Sequence, residues 1–298
     1  MLVNLILTRK CPLKCNYCKV VDGEVSTVGG SSWIYGIDKI AKKFGKDKTW
    51  FVLFGGEPML HPEVERIISY LNEKDYGYIV STTGAPAFDL KTKLARNIAV
   101  SVDALETDTE LMKLPHHEKK SQWGWRILSN SKKRNLTVAG IVITKDNFHR
   151  VPQIAQNILL QGQSKTVISA DIVQVNGDIV SSESDLRPSK DQIQWLLENL
   201  PRDCLTEPEE FYTGWLDKGY SQTWKCAGKG IKSLMIDADG SISVCQVASK
   251  KINMNLFDPN FEFNDRFERA YKSEQALCKG CYLGCLWTTY EKPDVWIK

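Results

Sequence analysis

Through the first two-thirds of this chain, short apolar runs alternate with segments that carry a helical stripe. That alternation restricts the fold more than any other feature. The runs are VNLILT (3–8), WFVLF (50–54), YIVSTT (78–83), IAVSV (98–102), LTVAGIVIT (136–144) and TVISADIV (166–173). Most are continuously apolar, the pattern of parallel strands covered on both faces. Between them, Trp33, Ile37, Ile40, Ala41 and Phe44 share one helical stripe. Val64, Ile67, Ile68 and Leu71 share another, behind a Pro62 suited to a first turn. Val151, Ile154, Ala155, Ile158 and Leu159 repeat the pattern, and a further helix is expected from Trp125 to Lys133. Ser189 and Gln192 form a capping box ahead of Ile193, Leu196, Leu197 and Leu200. Six βα units in series imply a parallel sheet with right-handed crossovers. Six is fewer than the eight of a closed barrel. The expected fold is therefore α/β, an open partial (β/α)6 TIM-like barrel with its functional residues at the C-terminal strand ends.

The last third differs. IKSLMID and SISVCQV flank Ala238-Asp239-Gly240, a hairpin signal, and a cysteine-dense stretch follows. SSESDLRPS (181–189) is the most linker-like stretch. The expected division is a barrel over 1–187 and a small hairpin-plus-helix domain over 188–298. Hydrophobic residues at 42% and charged residues at 25% are ordinary for a soluble globular protein. A net charge of +3 is too small to imply nucleic-acid binding or attraction to a membrane. The basic runs Lys119-Lys120 and Lys132-Lys133-Arg134 are short and lack interleaved aromatics, so direct nucleic-acid binding is not indicated. No apolar run approaches the roughly 20 residues of a membrane span. In MLVNLILTRK the basic residues follow the apolar stretch, the reverse of a secretory signal, so a cytoplasmic protein is expected.

Nine cysteines, an odd number, argue against a complete disulfide framework. They cluster at the two ends: Cys11, Cys15 and Cys18, then Cys204, Cys226, Cys245, Cys278, Cys281 and Cys285. In a reducing compartment such clusters mean metal more often than disulfide. The first three directly follow the first predicted strand, so their loop hangs over the barrel mouth. A structural zinc site takes four protein ligands. An iron–sulfur cluster also takes four, so three thiolates would leave one iron without a protein ligand. Zinc completed by a distant ligand, or three unrelated thiols, are the other readings of the same spacing.

CPLKCNYC has the C-x3-C-x2-C form, with an aromatic, Tyr17, before its last cysteine, and resembles the radical S-adenosylmethionine (SAM) family. The resemblance implies a [4Fe–4S] cluster held by Cys11, Cys15 and Cys18, with SAM as ligand to the fourth iron. It also implies one-electron cleavage of SAM to a 5′-deoxyadenosyl radical that abstracts hydrogen from carbon. Such an enzyme would be oxygen-sensitive and would draw electrons from a donor such as flavodoxin or ferredoxin. Gly55-Gly56-Glu57-Pro58, at the end of the second predicted strand, is similar to the family's GGEP, which receives the SAM amino group. Glycines permit close backbone approach, and carbonyls with a carboxylate suit an ammonium. Ser81-Thr82-Thr83-Gly84 resembles the family's S-T-N-G with Thr83 in place of Asn, and implies a SAM contact at Thr82. Ser101-Val102-Asp103 resembles the segment whose polar groups, Ser101 and Asp103 here, meet the SAM ribose or carboxylate; Ala104 replaces the usual Gly. Ile143 to Asn147 resembles the segment after strand five.

In the tail, Cys226, Gly240 and Cys245 are spaced as in the family's SPASM and twitch auxiliary-cluster domains, and Cys278, Cys281 and Cys285 close the pattern. Five cysteines are too few for two clusters. The resemblance implies one auxiliary [4Fe–4S] cluster on Cys226, Cys245, Cys278 and Cys281, with Cys285 able to displace one of them. A zinc-ribbon-like module is the other reading. Cys204 fits neither cluster, either as an inert buried thiol or as a hydrogen-atom donor facing substrate. Asp171 and Gln174, near the end of strand six, are candidates for facing substrate, whereas His116 and His117 read as a solvated loop. The aromatic-rich 211–226 reads as core packing before a stacking surface.

The expected function is hydrogen abstraction from a small metabolite, a nucleotide or nucleobase, or a peptide. Cys11 lies close to the start of the sequence, which lowers the expectation of a peptide recognised by a preceding domain. A non-catalytic iron–sulfur electron carrier or metal scaffold is the alternative, and the GGEP-like turn separates the two, because a carrier needs no ammonium cradle.

Overall fold

The computed structural model describes residues 1–15, 17–18, 28–113, 117–130, 134–161, 166–172, 186–201, 228–244 and 251–277. Strands β1 (Leu2–Thr8), β2 (Trp50–Gly55), β3 (Gly77–Thr82), β4 (Asn97–Ser101), β5 (Leu136–Ile143) and β6 (Thr166–Ile172) lie side by side in chain order. Every neighbouring pair is parallel. Helices α1 (Gly30–Phe44), α2 (Val64–Glu73), α3 (Asp89–Leu94), α4 (His117–Ser129), α5 (Val151–Gln161) and α6 (Lys190–Asn199) alternate with them. The parallel α/β architecture expected from the alternation is the one observed. Ser189 caps α6 through a complete capping box with Gln192.

Four local expectations change. α4 begins at His117, not near Trp125, and ends at Ser129, so His117 opens a helix instead of lying in a loop. Its first half is polar, with Glu118 placed favourably at the N-terminal end of the helix dipole and Lys120 and Ser121 buried, and only its second half carries buried apolar residues such as Trp125, Ile127 and Leu128. A stripe search sees only that half. Pro62 precedes α2, whose N-cap is Glu63. Leu159 is 43% exposed, so it flanks the buried face of α5 and does not belong to it.

The tail extends the same sheet. β7 (Ser233–Ile236) pairs in parallel with β1, Leu2 opposite Ser233 and Leu5 opposite Ile236. β8 (Ser241–Ser243) and β9 (Lys251–Asn255) follow antiparallel, giving the strand order β6-β5-β4-β3-β2-β1-β7-β8-β9. The β7–β8 turn needs Gly240, whose φ is +85° and whose N–H donates to the Asp237 carbonyl at 2.8 Å. Helix α7 (Asp265–Ala276) is capped by Asn264 and tied back to the start of β7. The Tyr271 hydroxyl donates to the Ser233 carbonyl at 2.8 Å, and Gln275 Nε2 donates to the Gly230 carbonyl at 3.0 Å.

One core joins β1, α1 and α2 to this tail: Val3, Leu5, Trp33 and Ile67 pack in the same cluster as Leu234, Ile236, Phe267 and Tyr271. A second core unites β4 to β6 with α4 to α6 around Val100, Ile141, Ile154, Ile168 and Leu196. Each fully buried side chain of this size contributes about 1.5–3 kcal/mol. These cores hold the strand ends rigid and leave the chemistry to the loops above them.

Candidate active site

Cys11, Cys15 and Cys18 lie half-buried in the loop that leaves β1. The Leu13 N–H approaches Cys11 Sγ at 3.5 Å, and the Cys18 N–H donates to the Cys15 carbonyl at 3.0 Å, so the loop curls around its cysteines. Its root is locked to the turn after β2. Gly56 N–H donates to the Thr8 carbonyl and Glu57 N–H to the Lys10 carbonyl, both at 2.8 Å. The glycines are needed for this contact. A Cβ at Gly56 would lie 2.2 Å from Lys10 O and 2.6 Å from Arg9 O. At Gly55, φ is +130° and a Cβ would lie 2.4 Å from Thr8 O. The close approach expected of this turn is thus made first to the cysteine loop itself.

Glu57 is fully buried, and both of its carboxylate oxygens are already engaged. Oε1 accepts from the Thr82 hydroxyl at 2.7 Å and the Met59 N–H at 3.0 Å. Oε2 accepts from the Thr83 N–H at 2.7 Å and the Thr83 hydroxyl at 2.6 Å. Burial raises its pKa above the ordinary carboxylate value, opposed by these same hydrogen bonds. Four donors fill the approximately four acceptor positions of a carboxylate. Glu57 and Thr82 therefore brace the end of β3 against the turn after β2, and Pro58 opens the buried 3-10 turn that follows.

Asp103, just beyond β4, is also fully buried. Its carboxylate meets the Lys120 ammonium from α4, accepts from the Tyr17 hydroxyl at 2.7 Å and accepts from the Val142 N–H at 3.0 Å. Burial opposes its charge, but Lys120 and the hydrogen bonds prevail and hold its pKa below the usual carboxylate range. Lys120 is only 5% exposed, so it is no surface base for nucleic acid. Asn147 donates to the Asp103 carbonyl at 3.2 Å and the Val142 carbonyl at 2.9 Å, joining the ends of β4 and β5. Ser101, the last residue of β4, is half-buried. Arg9 grips Asp237 at the end of β7 in a two-pronged pair, Nε to Oδ1 at 3.0 Å and Nη2 to Oδ2 at 2.7 Å. That pair links the cysteine loop to the tail hairpin.

The donor set fits a four-iron cluster. Burial pushes the Cys11 thiol up to about 11 and raises Cys15 as well, so thiolates here require a strong local cation. Cys11, Cys15 and Cys18 supply three thiols from one loop, the number that leaves the fourth iron of such a cluster to another ligand.

Residues 5–158, just over half of the chain, match the family described as the Radical SAM superfamily. The chain belongs to that superfamily. The match runs from β1 into α5 and takes in the cysteine loop, the Gly55-Gly56-Glu57 turn, Asp103 and Lys120. A Pyrococcus furiosus protein described as a tungsten-containing aldehyde ferredoxin oxidoreductase cofactor-modifying protein is 23% identical over 215 residues, 65% of this chain. The chain spans 59% of that relative's length. Two solved radical SAM structures share the fold at 14% identity and a TM-score of 0.65. They are Streptococcus suis SuiB bound to its precursor peptide SuiA, and anSMEcpe with bound AdoMet. The first covers 94% of this chain and 71% of its own; the second covers 97% and 88%.

The structure brings together Tyr17 and Asp103, and separately Glu57 and Thr82. Asp171 lies in β6 in register with Val142. Gln174, His116, Cys204, Cys226, Cys245, Cys278, Cys281 and Cys285 lie outside the described residues. The sequence reading missed Lys120, Thr83 as a donor, and the Arg9–Asp237 clasp. Only Thr83 carried a local signal, its place beside Thr82 in the strand-three motif.

Proposed function

We propose that this chain is a radical SAM enzyme that abstracts hydrogen from a C–H bond of its substrate. Cys11, Cys15 and Cys18 hold the [4Fe–4S] cluster, and the backbone of the Gly55-Gly56 turn with Ser101 receives SAM. When bound, the cluster supplies the electron that cleaves SAM reductively and so generates the hydrogen-atom acceptor. The chain's own residues position that chemistry: Glu57 and the Glu57 N–H to Lys10 carbonyl bond fix the turn against the cysteine loop, and Tyr17 anchors the loop to Asp103. The observation that carries the reading is this interlock of the cysteine loop with the glycine turn, inside the matched segment.

We assign the auxiliary cluster to Cys226, Cys245, Cys278 and Cys281, with Cys285 as the spare ligand, in the unit over 188–298. Three described contacts support it. Ser233 Oγ donates to the Val244 carbonyl at 3.1 Å, Tyr271 reaches Ser233, and Gln275 reaches Gly230. The chain segments that lead to Cys245, Cys278 and Cys226 therefore start from neighbouring points. Each begins within four residues of its cysteine, a reach of roughly 14 Å at most. Cys204 and Asp171 are the proposed substrate-facing residues, and a flavodoxin or ferredoxin in the cytoplasm is the proposed electron source.

For the substrate, the SuiB structure holds a precursor peptide and the Pyrococcus furiosus relative is described as modifying a cofactor. Peptide, nucleotide and small-metabolite panels are the arms of the test. Anaerobic incubation with SAM and dithionite is expected to give 5′-deoxyadenosine whose yield rises with one panel. Unchanged yield with every panel would count against hydrogen abstraction from any of these classes.

A further inference from the structure

Asp103 and Lys120 form an ion pair with almost no solvent contact, at 0% and 5% exposure. Withdrawing two charges from water costs several kcal/mol per ion, and well-packed apolar side chains often do as well or better for stability. The pair's location suggests what else it serves. Tyr17, between Cys15 and Cys18, donates to Asp103 at 2.7 Å and meets the Lys120 ammonium. The Lys120 ammonium also sits over the Tyr17 ring, 4.9 Å from its centroid. Val142 N–H and Asn147 fix Asp103 from the β5 side, and α4 fixes Lys120. The charges are thus held at set positions against the loop that carries the cysteines.

Resting on the cluster reading above, we infer that Asp103 and Lys120 act in opposite senses on the reduction potential of the cluster held by Cys11, Cys15 and Cys18, so that their balance beside Tyr17 sets it. Uptake of one electron from an external donor adds one negative charge to the cluster. Lys120 favours that charge and Asp103 opposes it. In a poorly screened interior both effects outreach those of surface charges. Paired, they nearly cancel, so the loss of either one leaves the other acting alone. Lys120 and Asp103 are positioning residues in this account, acting on the cluster through the field at its ligand loop.

An EPR-monitored redox titration of the reconstituted enzyme tests this, taking the cluster signal that changes on adding SAM. Asp103→Asn keeps an acceptor for the Val142 N–H and is expected to raise the midpoint potential. Lys120→Met is expected to lower it, the double variant to return it toward the starting value, and Lys120→Arg to leave it nearly unchanged. Single variants that shift it in the same direction, as simple entry of water would produce, overturn the inference, and so do unchanged potentials. If Asp103→Asn does not fold, the contrast between Lys120→Met and Lys120→Arg decides: equal potentials overturn it. An unaltered protein with no SAM-responsive cluster overturns the cluster reading, and the inference with it.

Discussion

Replacing Glu57 by Ala removes the shared acceptor of four hydrogen bonds and strands the buried N–H groups of Met59 and Thr83. At about 1–3 kcal/mol for each of the two stranded donors, a loss of roughly 2–6 kcal/mol is expected in denaturant unfolding. Glu57→Gln retains one acceptor oxygen and is expected to cost less. The pH dependence carries a sign. Burial raises the Glu57 pKa, so the folded protein binds this proton more tightly than the unfolded chain. Its contribution is fully present below the unfolded value near ~4.3 and is lost as pH rises through the higher folded value. Stability measured upward from that point is expected to fall by this contribution in the wild type and not in Glu57→Gln; equal slopes would contradict it. At this scale the sequence was informative about identity and poor about partners. The cysteines, the glycine turn and Asp103 stand out by spacing within a few residues. Their partners come from far away: Tyr17 and Asp103 are 86 positions apart, Arg9 and Asp237 228. No local pattern reports such pairs.

At the scale of elements, the turn after β2 and the loop after β1 behave as one structural unit. Gly56→Ala would drive a Cβ into the carbonyls of Lys10 and Arg9, which are backbone and have little freedom to yield. It is expected to dislodge the cysteine loop and lose iron from that site, as measured by iron analysis after anaerobic reconstitution. Full iron with weakened SAM binding alone would show that the loop absorbs the clash. The Arg9–Asp237 clasp couples that loop to β7. Arg9→Lys keeps the charge but loses the two-pronged geometry, and Asp237→Asn loses the charge. Each is expected to lower stability by about 1–3 kcal/mol in denaturant unfolding. Strands read well from the sequence because apolar runs mark buried parallel strands. α3 and β9 did not. α3 is a six-residue DLKTKL turn without an apolar stripe, and β9 is a short KINMN strand paired antiparallel at the end of the sheet. Neither carries the periodicity that betrays longer elements.

At the scale of the whole molecule, one sheet, nine-stranded among the described residues, runs from the barrel strands into the tail, and the core beneath β1 is shared by both. The strand-end site and the proposed auxiliary cluster are therefore attached to one framework. Anaerobic reconstitution is expected to load about eight irons if the tail holds its own four-iron cluster, and about four in Cys226→Ala or Cys245→Ala. About four irons in the unaltered protein would remove the auxiliary cluster from the account. The central claim is that Cys11, Cys15 and Cys18 hold the cluster that cleaves SAM. Its most direct test is 5′-deoxyadenosine formation under dithionite, compared between the unaltered protein and a variant with all three cysteines changed to Ala. Product is expected from the first and none from the second, with any tail iron retained. Equal product from both, or tightly bound zinc and no iron uptake at the N-terminal site, would contradict it.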